Sequence, residues 1–133
     1  MSHTIINPET LHNPVGYGYS HLARTNSGLV FVAGQYASDG EGHVTSPDFT
    51  DQVRQSLTNL RTALAAVGLD YQHVIQIRTY IVDHDAAKLA VIAQLIGEIW
   101  GDVPPTQTLT GVAALALPDM LFEIDAIAVP PTE

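Results

Sequence analysis

Apolar residues recur at intervals of three or four in the middle of the chain, which is the spacing of an amphipathic helix. They stand at Phe49, Val53, Leu57, Leu60, Leu64 and Val67. Ser46 is suited to the N-cap of this helix, Pro47 to its first helical position and Gly68 to its end. The pattern therefore predicts one helix between Ser46 and Gly68 with a single buried face.

A second helix is predicted from Ala86 to Trp100, because the same spacing follows a polar turn at residues 83–85 and stops at Gly101. The turn residues also supply the helix cap. The buried side of this helix is expected to carry Leu89, Ile92, Leu95, Ile96 and Ile99.

Strands are predicted where β-branched and aromatic residues follow one another without turn residues. These segments are residues 19–25, 29–33 and 73–82, and Asn26-Ser27-Gly28 forms a turn between the first two. One face of the third strand is expected to carry Ile75, Ile77, Thr79 and Ile81.

Residues 104–129 add two further strands, which we expect to form a hairpin around a turn at Pro118-Asp119. With a short strand at 43–44, the element order is β-β-(β)-α-β-α-β-β. This order is typical of an α+β fold in which two helices pack on one face of a mixed sheet. The length of 133 residues favours a single domain, residues 1–133.

Composition and charge narrow the classes of function. Charged residues make up only 14% of the chain, against about a quarter in typical proteins, so we expect further surface to be buried in an oligomer. The net charge is −9 and the five basic residues are dispersed, which argues against nucleic acid and acidic membranes as partners. The chain has no cysteine, no signal-peptide pattern and no apolar run of about 20 residues. We therefore expect a cytoplasmic protein.

The histidines do not form a spacing typical of a metal site. They are His3, His12, His21, His43, His73 and His84. A nucleophile elbow and a glycine-rich phosphate loop are also absent from the sequence. We expect no metal and no other cofactor.

Glu123 and Asp125 are the leading catalytic candidates, because they place two charges inside the most apolar strand of the chain. Residues two apart on a strand share one face. A carboxyl group in apolar surroundings has a raised pKa and can act as a general acid or base on a bound water. The alternative is that these acids form ion pairs with Arg24 or Arg78.

Several segments together resemble the RidA family (YjgF, also known as L-PSP endoribonuclease-like or translation-inhibitor proteins). They are GYSH at 18–21, LVFVAGQ at 29–35, DGEG at 39–42, QVRQSLTNLRTAL at 52–64, YIVD at 80–83 and LFEIDAIAV at 121–129. The resemblance implies a chorismate-mutase-like α+β fold and a homotrimer around a central barrel, with a small-molecule ligand in the clefts between subunits. Active members hydrolyse enamines and imines of 2-keto acids to the keto acid and ammonia.

Matched residue by residue, the catalytic Glu of the family falls on Glu123 and its Tyr on Tyr19. Its Ser-Gly pair falls on Ala33-Gly34, and the Arg that binds the substrate carboxylate falls on Gln107. The resemblance thus assigns catalysis to Glu123 and substrate binding to the other four residues, in a divergent subgroup that lacks the Arg. A neutral amide cannot replace the two charge-assisted hydrogen bonds of a guanidinium, so the usual 2-imino acid deaminase activity is not predicted.

Two functions remain open. In the first, the protein is a small-molecule enzyme in which Glu123 directs water at an imine, an enamine or a related carbonyl compound. In the second, it is a non-catalytic or regulatory trimer that binds a small metabolite in the same cleft. RNA cleavage, which an older family name suggests, is disfavoured by the excess of 14 acidic over five basic residues.

Overall fold

The computed structural model describes residues 2–131, which form six strands and two long helices. The strands are β1 (His3–Ile6), β2 (Leu22–Thr25), β3 (Val30–Gln35), β4 (Val74–Val82), β5 (Thr106–Val112) and β6 (Phe122–Ala128), and the helices are α1 (Phe49–Ala65) and α2 (Ala86–Trp100). The strands make one sheet in the order β1-β2-β3-β6-β4-β5. Only β4 and β5 run parallel; all other neighbouring pairs are antiparallel. The predicted mixed sheet with two helices is confirmed.

The hairpin predicted for the last two strands is wrong. β5 pairs in parallel with β4, with Gln107 opposite Ile77, whereas β6 lies between β3 and β4. The helix α2 joins β4 to β5, and a helical crossover returns the chain in the parallel direction. Alternate residues of β6 are buried, so this strand occupies the centre of the sheet, while the largely exposed, Thr-rich β5 forms an edge. The predicted turn at Pro118-Asp119 is present, but it leads into the sheet centre.

The core lies between the helices and one face of the sheet. On β6 the residues Phe122, Ile124, Ala126 and Ala128 are buried and join a single cluster with apolar side chains of both helices. The intervening residues of β6 point to the opposite face. That face is not covered by a helix within residues 2–131 and exposes the large apolar side chains of Ile5 and Phe31.

The helices differ in how well the sequence predicts their ends. α1 begins at Phe49, because the carboxylate of Asp48 accepts a hydrogen bond from the Asp51 N–H at 3.0 Å; the prediction of Ser46 as the N-cap was wrong. Ser46 instead accepts a hydrogen bond from the N–H of Asp48 one turn earlier. α2 has the predicted limits, with Asp85 as its N-cap and Gly101 at its end. Within residues 2–131, no helix is long and apolar enough to cross a membrane.

Two apolar side chains are more exposed than predicted. The pairing of β4 with β6 shifts register between Val74 and Gln76, and this irregularity turns Ile75 outward and Val74 into the core. Leu89, in the first turns of α2, is half exposed. Ile92, Leu95 and Ile96 are buried as predicted.

Candidate functional site

A cleft of about 480 Å³ lies at the end of β3, on the side of the sheet away from the helices. We call it the Glu123 cleft. It is lined by Tyr17, Tyr19, Ala33, Gly34, Tyr36, Ala116, Leu117, Met120 and Glu123. Four of the five predicted site residues thus meet in one cleft, and the sequence did not single out Tyr17, Tyr36 or the 116–120 segment.

Glu123 is held against the backbone of β3. Glu123 lies on β6, opposite Tyr80 of β4, and its side chain points away from the core. The β3–β6 pairing shifts register between Val32 and Gln35, and such bulges re-aim the backbone. A Cβ placed on Gly34 would lie 2.6 Å from the carboxyl carbon of Glu123, so the absence of a side chain at Gly34 makes room for the carboxylate.

The environment of Glu123 favours its protonated form. Burial raises the pKa of the Glu123 carboxyl above its ordinary value, and the nearby negative charge of Asp125 raises it further. The cleft lining contains no basic residue. Glu123 can therefore exchange a proton closer to neutral pH than an exposed glutamate, which suits a general acid or base.

Asp125 has a structural partner. Arg78 donates from Nε to Oδ1 at 3.0 Å and from Nη2 to Oδ2 at 2.9 Å, in a two-point guanidinium–carboxylate pair. For Asp125 the ion-pair alternative is therefore confirmed, with Arg78 rather than Arg24 as the partner. This pair lines a separate cleft on the open sheet face.

Tyr19 reaches the Glu123 cleft from an irregular arm before β2. Its hydroxyl oxygen lies 2.6 Å from Nε2 of His12. Burial raises the pKa of the Tyr19 phenol well above its ordinary value, so the phenol keeps its proton at any physiological pH. In Tyr36, whose pKa burial raises to about 12, the hydroxyl donates to the Gly42 carbonyl at 2.6 Å.

His12 belongs to a buried polar network behind the cleft, which the sequence did not reveal. Its side chain is 2% exposed, and Nδ1 lies 3.2 Å from the hydroxyl of Ser38. Asn59 of α1 donates to the same hydroxyl at 3.1 Å and to the Tyr36 carbonyl at 2.8 Å. Ser38 lies 26 positions after His12 in the chain and Asn59 a further 21, and no spacing pattern links them.

The opposite wall of the cleft is fastened to α1 by Gln52, which is fully buried. Its amide nitrogen donates to the carbonyls of Ser46 and Asp119, each at 2.9 Å, and its oxygen accepts from the Leu121 N–H at 2.8 Å. The segment that carries Leu117 and Met120 is thereby held beside β6.

Gln107 does not line the Glu123 cleft within a single chain. It lies opposite Ile77, a core residue, and its side-chain oxygen accepts a hydrogen bond from the Thr79 hydroxyl at 2.9 Å. Gln107 thus points toward the helix side of the edge strand, whereas Glu123 points to the other face. The role of Gln107 in substrate binding stays a prediction, because the predicted cleft lies between subunits and Gln107 would have to reach the Glu123 cleft of another chain.

The histidines do not gather a metal site among residues 2–131, where no group of three or more His, Cys, Asp or Glu side chains could hold an ion. The two buried histidines, His12 and His21, form hydrogen bonds with other groups of the protein instead. Nε2 of His21 donates to the His12 carbonyl at 2.8 Å, and its Nδ1 lies 3.1 Å from the Gln35 amide nitrogen.

Comparison with known proteins agrees with this fold. A family model described as Endoribonuclease L-PSP matches residues 10–130. The RutC family protein PH0854 of Pyrococcus horikoshii is 33% identical over 126 residues, covering 93% of this chain and 95% of that protein. Reactive Intermediate Deaminase A, chloroplastic, of Arabidopsis thaliana is 32% identical over 111 residues, covering 83% of this chain and 57% of that protein. The solved structure of protein YJGH superposes with a TM-score of 0.87 at 31% identity, over 100% of both chains.

Proposed function

The chain belongs to the endoribonuclease L-PSP (RidA/YjgF) family, and we propose that it is a small-molecule enzyme that hydrolyses an imine or enamine in the Glu123 cleft. The observation that carries the proposal is a glutamate with a raised pKa, packed on Gly34 in a cleft lined by tyrosines. A relative over most of this chain bears the name of a reactive intermediate deaminase.

The lining of the cleft argues for an uncharged substrate. Its one ionisable acid is Glu123, with Asp125 adding negative potential from the same strand. Arg78 is engaged by Asp125, and Arg24 lies on β2 outside the lining. A 2-imino acid would bring a carboxylate into this field without a cation to balance it. A neutral imine or a related carbonyl compound avoids that cost.

The proposed reaction uses Glu123 as the base for a water molecule. The ionised carboxylate removes one proton from water as the oxygen adds to the imine carbon, the C=N electron pair moves to nitrogen, and Glu123 passes the proton to that nitrogen to give a carbinolamine. The carboxylate then removes the remaining hydroxyl proton as the C–O bond becomes a carbonyl and the C–N bond breaks. Glu123 gives this second proton to the departing nitrogen, so that imine and water yield ketone and ammonia.

We propose a homotrimer around a central barrel as the active assembly, with the ligand in clefts between subunits. The open sheet face supports this, since its exposed Ile5 and Phe31 gain from being covered. Such an assembly is also the setting in which Gln107 of one chain can approach the Glu123 cleft of another. A solution mass equal to three chains is the expected result; a monomer would contradict it.

A non-catalytic trimer that binds a small metabolite is the second candidate, favoured by the substitution of Gln107 for the family Arg. The two are separated by measuring ammonia and ketone release from an enzymatically generated 2-imino acid and from a neutral ketimine. The proposal predicts release from the ketimine by the wild type, lost in Glu123→Ala. Release from neither compound would favour the binding function. Gain of activity on the 2-imino acid in Gln107→Arg would show that the cleft lacks only its cationic clamp.

A further inference from the structure

The proton of the Tyr19 hydroxyl is directed by groups that lie behind the cleft. His12 contacts this hydroxyl through Nε2, at 2.6 Å, and contacts Ser38 through Nδ1, at 3.2 Å. His12 and Ser38 are both buried. Burial and the neighbouring His21 lower the pKa of the His12 imidazole, so this ring is neutral and carries a proton on only one of its nitrogens.

The network assigns that proton to Nε2. Asn59 donates to the Ser38 hydroxyl oxygen. If His12 Nδ1 donated to the same oxygen, the Ser38 proton would have no acceptor among the side-chain contacts of the described residues, and a buried unpaired donor costs about 1–3 kcal/mol. If Ser38 donates to Nδ1, the Ser38 hydroxyl and both His12 nitrogens are satisfied, and the one proton left over is that of Tyr19, which lies at the cleft. Nε2–H then donates to the oxygen of Tyr19.

We propose that His12 is a positioning residue that makes the Tyr19 phenol a hydrogen-bond donor to the substrate. With its oxygen already accepting from His12, the Tyr19 hydroxyl is free to direct its proton into the cleft that holds Glu123. Tyr36 cannot do the same, because its proton is used by the Gly42 carbonyl. The acceptor is the nitrogen of a neutral imine, or the oxygen of a carbonyl compound. This inference rests on the proposed function for its substrate, but the arrangement of protons does not depend on it.

The first test measures the tautomer directly and needs no activity. Long-range ¹H–¹⁵N NMR of the imidazole rings distinguishes a protonated Nε2 from a protonated Nδ1, and the His12 signals are assigned as those missing from His12→Gln. We expect His12 to be protonated on Nε2 in the wild type. Protonation on Nδ1, or on both nitrogens near neutral pH, would overturn the inference whether or not the protein is an enzyme.

The second test is a double-mutant cycle on ketimine hydrolysis. Tyr19→Phe and His12→Phe are each expected to lower kcat about ten-fold, the loss that one transition-state hydrogen bond gives. Together they should lower it no further than Tyr19→Phe alone, because His12 acts only through the phenol. His12→Gln, which can still offer an amide N–H to Tyr19, should recover part of the loss, and the exposed His84→Gln should match the wild type.

The outcomes separate this inference from the proposed function. If His12→Phe lowers kcat by the same factor with and without the Tyr19 hydroxyl, His12 has a merely structural role. That result would refute the inference but not the proposed function. If the wild type hydrolyses no imine, the proposed function fails and the NMR result alone decides the assignment of the proton.

Discussion

Replacing Gly34 by alanine tests whether the placement of Glu123 depends on the bare backbone of β3. The backbone at Gly34 does not have a positive φ, so alanine is compatible with its conformation. The new Cβ would lie 2.6 Å from the Glu123 carboxyl carbon, whereas carbon atoms in contact prefer about 3.5–4.0 Å. The carboxyl group must therefore move by roughly 1 Å.

A displacement of this size matters for catalysis more than for folding. A misplacement of about 1 Å can cost roughly 100-fold in rate, and we expect kcat/KM for ketimine hydrolysis to fall by about that factor in Gly34→Ala. The displaced carboxyl should also lie closer to solvent, so its pKa, followed by ¹³C NMR of the side-chain carboxyl carbon, should return toward the ordinary glutamate value.

Two comparisons isolate the clash from other effects of a glycine replacement. Gly97 on α2 has open space where a Cβ would stand, so Gly97→Ala should leave the activity unchanged and stabilise the helix by roughly 0.5–1 kcal/mol. In the Glu123→Ala background, Gly34→Ala should have no further effect. A folded Gly34→Ala variant with wild-type activity and an unchanged Glu123 pKa would refute this account of the site.

Three further predictions concern stability. The pKa of the Glu123 carboxyl is raised in the folded state, so the wild type loses free energy of unfolding as pH rises from the unfolded pKa through the folded pKa. Glu123→Gln should therefore gain stability relative to wild type as pH rises above about 4.3, the ordinary pKa of an unfolded glutamate, in urea unfolding; a pH-independent difference would contradict this. Gln52→Leu leaves three backbone partners without a hydrogen bond and should cost about 3 kcal/mol, whereas the exposed Gln94→Leu should change stability by no more than about 0.5 kcal/mol. Leu60→Ala, at a fully buried position of α1, should cost about 2–5 kcal/mol by the same measurement, and a loss below about 1 kcal/mol would refute the assigned core.

Local sequence predicted the elements best where one chemical signal dominates. The limits of α2 follow from Asp85, which caps the first turn, and from Gly101, which ends the last one with a positive φ. The start of α1 was misplaced because Ser46 and Asp48 are both good caps, and the choice between them depends on which backbone N–H each side chain reaches in the folded loop. The bulge that turns Ile75 outward depends on its pairing with β6, which local pattern does not contain.

The residues of the candidate site were also predicted only in part from the sequence. The family resemblance named Glu123, Tyr19, Ala33 and Gly34, and the structure places these four residues in the lining of one cleft. It did not find His12 or Ser38, since their contacts join segments far apart in the chain. It also could not place Gln107, whose side chain lies on the helix side of an edge strand and bonds to Thr79.

The sequence by itself determined two amphipathic helices, the strands and two acids on an otherwise apolar strand, because propensity and periodicity are properties of neighbouring residues. Only the tertiary structure decided that β6 enters the sheet between β3 and β4. Because β6 lies between these strands, Asp125 forms an ion pair with Arg78 of β4, and Glu123 packs against Gly34 of β3. Two carboxylates of the same strand thus acquire different roles, because strand pairing over long sequence separations sets the neighbours of each.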